Sequence, residues 1–181
     1  MALKFYESTD MTNIANAIRS KNGSSNTYLV SEMASAINDL DVGGDAESII
    51  NGTITNLYSE ATSVRYYFMY NYARIRKVEL PNATTIGERA FGGCSNLKTV
   101  ILKSVTRIDS RAFSYASSLD DLVLDVDAIP TLTSTTAFEY TPIAQLTGYI
   151  YITDSLVNQL KTATGWNTFS TQIKPLSERS A

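Results

Sequence analysis

Four aspartates, Asp120, Asp121, Asp125 and Asp127, form the one dense acidic cluster of this chain. Carboxylates at that density suit a hard cation such as calcium, which gathers several oxygen ligands. The competing reading is a strand edge. Leu122, Leu124 and Val126 alternate with Asp121, Asp125 and Asp127, which sends the apolar set inward and the carboxylates to water. No glycine-bearing loop of calcium-site spacing accompanies them, so no metal is expected. Cys94 is the single cysteine. It can form no internal disulfide, and the chain has 0 histidines to activate it as a nucleophile. The same absence removes Ser-His-Asp chemistry and the commonest transition-metal ligand. Gly87 and Gly92-Gly93 do not form a phosphate-binding fingerprint. A carboxylate pair for glycoside cleavage stays open, but it needs a deep cleft. The expectation is a protein that is not an enzyme and takes no cofactor.

The elements that hold these residues repeat. Val78 to Leu97 is followed in step by Val100 to Leu119: Leu80 matches Leu102, Ile86 matches Ile108, and Ala90-Phe91 matches Ala112-Phe113, each 22 residues on. A fixed period of this size marks a solenoid, in which each unit buries its apolar face against its neighbours. In this register Cys94 matches Tyr72 and Ala116, so it is a framework position where a small buried side chain fits. Stepping back gives a degenerate first repeat, with Ala61, Val64, Met69, Tyr72 and Ile75 opposite Ala83, Ile86, Phe91, Cys94 and Leu97. Stepping forward, Leu122 and Leu124 stay in step, then an insertion places Ala137-Phe138 25 residues after Ala112-Phe113. Short alternating pieces at 78–80, 100–102, 122–124 and 150–152 predict about four strands in a small parallel sheet. The stretch from Ile86 to Leu97 predicts a 3₁₀-like return. Asp154 is expected to cap a closing helix carrying Leu156, Val157 and Leu160, ended by Gly165-Trp166.

Residues 1–45 differ. Met11, Ile14 and Ile18, then Met33, Ile37 and Leu40, recur at helical spacing on either side of a turn at Lys21-Asn22-Gly23. Each helix is about three turns, too short to stand alone in water, so these six side chains are expected to anchor or oligomerise the chain. Asp41-Val-Gly-Gly-Asp-Ala46 reads as a linker to a second module, 46–181. The fold class expected is an α/β repeat solenoid preceded by a helical hairpin.

Two surfaces invite contact. Tyr66 and Tyr67 occupy the slots of Glu88-Arg89 and Ser110-Arg111, so they should face solvent, with Tyr70 in the turn that holds Gly92. Exposed rigid rings favour interfaces; alternatively they pack on the hairpin. On the open sheet face, Ile101 and Val123 lie side by side, with Tyr149 and Tyr151 flanking the last strand. That apolar strip predicts a partner or subunit contact, unless the C-terminal helix covers it.

The pattern Leu-Pro-x-Ala-x-x-Ile-Gly-x-x-Ala-Phe-x-x-Cys-x-x-Leu, from Leu80 to Leu97, resembles the BspA-like class of leucine-rich repeats over roughly residues 55–175. That resemblance implies adhesion and protein or glycan contact. Ile14-Ala-Asn-Ala-Ile-Arg-Ser-Lys-Asn-Gly23 with Ser31-Glu-Met-Ala-Ser-Ala-Ile37 resembles a hairpin at the start of tail, fibre and minor structural proteins of phages of Gram-positive bacteria, although it lacks the usual proline before Ser31. Together the two resemblances imply a phage virion surface protein, a head fibre, decoration or tail component, made in a host cytoplasm. Its implied partners are copies of itself (a trimer), other capsid or tail proteins, and a host-surface glycan or protein. The alternative they leave is a bacterial adhesin or protein-binding module outside any virion. A net charge of −3 with scattered signs gives no basic footprint for nucleic acid, and no apolar run is long enough for membrane insertion.

Overall fold

Residues that alternate apolar and polar side chains over only three or four positions make short strands, and short strands need neighbours. A computed structural model of the chain describes residues 55–179. Among the described residues, ten strands form two parallel sheets. The larger has six strands: β1 (Asn56–Tyr58), β3 (Lys77–Leu80), β5 (Thr99–Leu102), β7 (Asp121–Leu124), β9 (Tyr149–Ile152) and β10 (Ile173–Pro175), side by side in that order. The smaller has four two-residue strands: β2 (Ser63–Val64), β4 (Thr85–Ile86), β6 (Arg107–Ile108) and β8 (Thr131–Leu132). The repeat step is the pairing step. Val78 lies opposite Val100 and Leu122, Leu80 opposite Leu102 and Leu124, and Ile86 opposite Ile108. Val64 lies opposite Ile86, which places the degenerate first repeat in the stack.

Several expectations are corrected. The main sheet has six strands rather than about four, because Asn56–Tyr58 and Ile173–Pro175 join its edges. A second sheet lies within what read as an irregular return, since Thr85-Ile86 and its equivalents pair between coils over only two residues. The 3₁₀ character of the rest of that return is present: the N–H groups of Ala90, Gly92, Cys94 and Leu97 each reach a carbonyl three residues back. At the C-terminus, Asp154 does not cap the helix. Thr153 precedes a 3₁₀ turn, Asp154–Leu156, which leads into the one α-helix among the described residues, α1 (Val157–Thr162). Asp154 instead accepts the backbone N–H of Ser177 at 3.1 Å, tying down the C-terminal segment. Gly165, at φ +80°, opens a further 3₁₀ turn, Trp166–Phe169. The expected hairpin, with Met11, Ile14, Ile18, Met33, Ile37 and Leu40, lies outside the described residues.

The core is a column of equivalent side chains. Phe91, Phe113 and Phe138 are fully buried and stack face to face, at 5.7 Å and 3° for the first pair and 5.8 Å and 4° for the second. The 25-residue step therefore brings Phe138 to the same slot as its 22-residue predecessors; Arg107 pairs with Thr131 at a 24-residue step, so two of the three extra residues lie before β8 and one after it. Trp166 and Phe169 close one end on Phe138 at 5.9 and 5.4 Å. At the other end Phe68 meets Phe91 edge-on at 6.1 Å. Register alone offered Met69 for that place.

Candidate functional site

The return between the two sheets builds a ridge of exposed rings. Its backbone is held by bonds from coil to coil: Tyr67 N–H to Glu88 O (3.0 Å), Asn71 N–H to Gly92 O (2.7 Å), Gly93 N–H to Ser114 O (2.7 Å) and Tyr115 N–H to Glu139 O (2.8 Å). Two slots adopt left-handed φ in the first three returns, and the second of them recurs in the fourth. One holds Tyr67, Arg89 and Arg111 at +57°, +52° and +55°; the other holds Asn71, Gly93, Tyr115 and Tyr140 at +61°, +74°, +60° and +58°. Recurrence makes this a property of the repeat. The residue choice is nevertheless informative. Where one coil uses Gly93, the next two place tyrosine in a conformation that costs a side-chain-bearing residue about 1–2 kcal/mol. Ring stacking recovers about 0.5–1.5 kcal/mol. Stability alone does not call for tyrosine there.

The side chains form two groups along three coil steps, roughly 14 Å. In the first, Tyr66 is 72% exposed and meets Tyr67 edge-on at 5.6 Å, while Tyr67 meets Tyr70 at 5.0 Å. The Arg89 guanidinium lies 5.5 Å over the Tyr67 ring and donates to its hydroxyl, which raises Arg89 above its ordinary value. Tyr70 lies against Gly92, where an added Cβ would stand 3.2 Å from its ring. In the second group, Tyr115 and Tyr140 are 56% and 54% exposed and stack at 4.5 Å with 24° between planes. Arg111 pairs with Glu139 beside them at 3.9 Å. Partial desolvation, then Tyr140 and the Glu139 carboxylate, raise the Tyr115 hydroxyl, so it stays protonated at neutral pH. Tyrosine with arginine is the composition enriched at protein interfaces.

Sequence reasoning placed Tyr66, Tyr67 and Tyr70 here but missed Tyr115, Tyr140, Arg89 and Arg111. The signal was available: the 25-residue step that carries Phe113 onto Phe138 also carries Tyr115 onto Tyr140.

The second expected surface is corrected. Ile101 is half-buried, while Val123 and Tyr151 are buried, at 3% and 8% exposure. The C-terminal segment folds back on this face: Arg179 stands 3.6 Å from Asp121, on the same side of β7 as Val123. Tyr151 has its hydroxyl raised by burial and then by the Asp121 carboxylate, with Lys174, Tyr149 and Arg179 also nearby. Lys174 lies 3.8 Å over the Tyr149 ring. Val123 and Tyr151 are therefore unavailable as contact residues, because the segment after β10, with its 3₁₀ turn Leu176–Glu178, rather than α1, returns to this face.

The remaining chemistry disperses. Asp121 faces Arg179, and Asp120, Asp125 and Asp127 are exposed without converging. Among the described residues no three acidic, cysteine or histidine side chains gather to hold a metal ion. Cys94 is buried, its thiol 3.1 Å from the Met69 carbonyl, and burial pushes it up to about 12. It is not a nucleophile at neutral pH. An open depression of about 280 Å³ lies between Ile129–Leu132 and Ala163–Trp166; its lining has threonine hydroxyls but no titratable side chain. No helix among the described residues is long and apolar enough to cross a membrane.

Comparison with protein families matches residues 47–156 to the BspA type leucine rich repeat region, in six copies. No curated protein matches the chain. The match ends at Leu156, in the 3₁₀ turn before α1; the helix, β10 and the returning tail follow it and close the stack.

Proposed function

The chain belongs to the BspA-type leucine-rich repeat family, and from that premise we propose that it is a non-enzymatic binding protein whose stack presents the ridge of Tyr66, Tyr67, Tyr70, Tyr115 and Tyr140 to a protein partner. The observation that carries this is five exposed tyrosines with two arginines on one return face of a rigid stack. Rigid rings bury much area at little entropy cost, and hydroxyls and guanidinium groups set orientation. A protein partner fits better than a glycan. The rings pack against one another, edge-on at Tyr67–Tyr70 and stacked at Tyr115–Tyr140, and Arg89 engages the Tyr67 ring and hydroxyl, so no broad open ring face is left as a platform for a sugar.

The setting proposed is a phage particle. Its support is the sequence of residues 14–37, which resembles the attachment hairpin of phage structural proteins. In this reading Met11, Ile14, Ile18, Met33, Ile37 and Leu40 anchor a homo-oligomer, a trimer, to the capsid or tail, and the repeat stack projects from the virion surface toward host or neighbouring particle proteins. A bacterial adhesin with the same ridge is the second reading, favoured by the family match alone. Antibody labelling of purified particles separates them. Regular decoration of heads or tails supports the virion; label on bacterial envelopes and none on particles supports the adhesin. Light scattering of the full chain tests the oligomer, and a monomer at micromolar concentration removes that part.

A further inference from the structure

The tyrosine pairs on the ridge differ in one geometric respect. Tyr66–Tyr67 and Tyr67–Tyr70 cross at 85° and 71°, edge to face. Tyr115 and Tyr140 lie at 24°, with ring centroids 4.5 Å apart. They occupy the same slot of consecutive coils with nearly the same φ, +60° and +58°. Side chains related in this way differ by little more than a translation along the stack, so like atoms face like atoms. The stacked contact sets the two phenols ring on ring, the arrangement in which their ortho carbons can meet. Both rings are more than half exposed, open to a small oxidant or to the edge of an enzyme.

We propose that Tyr115 and Tyr140 form a site of oxidative phenol coupling, at which a peroxide-driven one-electron oxidant joins the two rings into an intrachain dityrosine. Each phenol gives up one electron and its hydroxyl proton, leaving two phenoxyl radicals. The radicals combine through their ortho carbons, and the hydrogen on each joined carbon moves to the oxygen to restore both phenols. Hydrogen peroxide takes the two electrons and two protons and leaves as two waters. The new bond staples neighbouring coils across the 25-residue step, where the insertion breaks the regular period. The edge-to-face pairs lack this stacked arrangement and are not substrates.

The test oxidises the full chain with a haem peroxidase and stoichiometric hydrogen peroxide. Three readouts follow: dityrosine fluorescence, migration on a denaturing gel, and peptide mass spectrometry. The expected result is fluorescence in chains that migrate as single polypeptides, with one cross-linked pair, Tyr115 to Tyr140, lighter by two hydrogens. Tyr115→Phe and Tyr140→Phe keep the rings but lose the product; Tyr67→Phe keeps it. Oxidation of the urea-unfolded chain loses the selectivity. Absence of dityrosine in the folded chain overturns the proposal. So does a bond mapped to other tyrosines or between chains, survival in Tyr140→Phe, or the same pair at the same yield from the unfolded chain.

Discussion

Replacing Phe113 with alanine removes the middle ring of the three that stack through the core. The ring is fully buried, 5.7 Å from Phe91 and 5.8 Å from Phe138, with both partners parallel to it within 4°. Truncating a buried phenylalanine costs about 3–5 kcal/mol, the upper part when surroundings cannot collapse into the hole. Collapse is restricted here. Each coil is pinned to the next by strand pairs and by return bonds such as Phe113 N–H to Ala137 O at 2.9 Å. The upper half of that range is expected, a drop of roughly 8–20 °C in melting temperature for a chain of this size. In a stack with nearest-neighbour coupling, a weak middle interface also lets the two sides unfold separately. Urea unfolding followed by circular dichroism should show a lower midpoint and a shallower transition. Met69→Ala is the control. Met69 holds the equivalent slot of the first repeat but is only partly buried, so about 1–2 kcal/mol is expected. If Phe113→Ala costs no more than Met69→Ala, the ring column does not hold the coils together.

Gly87→Ala should destabilise by about 1–3 kcal/mol in urea, because the added Cβ would stand 2.7 Å from Arg65 C and Tyr66 N in the preceding coil; a neutral result means the coils are not packed as described. Cys94 should resist a thiol reagent in the folded chain at neutral pH and react once urea unfolds it, and immediate full labelling would contradict its burial. Burial raises that thiol from about 9 to about 12, so its contribution is intact below pH 9 and is lost as pH rises from 9 toward 12. The slope is at most about 1.4 kcal/mol per pH unit, and Cys94→Ala should reduce the alkaline fall measured by urea titration.

The period was legible because a stack repeats its pairing: Leu80, Leu102 and Leu124 announce one another, and the sheet aligns them as read. The smaller sheet was not legible, since two-residue strands such as Thr85-Ile86 carry no alternation to detect. The tail was hidden for a different reason. Val123 and Tyr151 read as outward, and they are, but Arg179 meets Asp121 from more than fifty residues downstream, and no local pattern encodes that return. Tyr66, Tyr67 and Tyr70 were found because they replace charged residues in register. Tyr115 and Tyr140 needed the insertion to be carried through the alignment of slots, beyond the phenylalanines. Phe68 escaped because its half-exposed ring meets Phe91 edge-on from one position ahead of the slot that register assigns to Met69.

The central claim is that the tyrosine ridge is the contact surface. Its most direct test is binding of the full chain to purified phage particles and to intact host cells, compared with a Tyr67→Ser, Tyr70→Ser, Tyr115→Ser variant. Interface rings of this kind are worth about 2 kcal/mol or more each, so binding should weaken at least thirtyfold, while the variant stays folded by circular dichroism and loses about 1.5–4.5 kcal/mol of urea stability with its three ring pairs. Unchanged binding of the variant to both targets, with the wild type bound, would contradict the account.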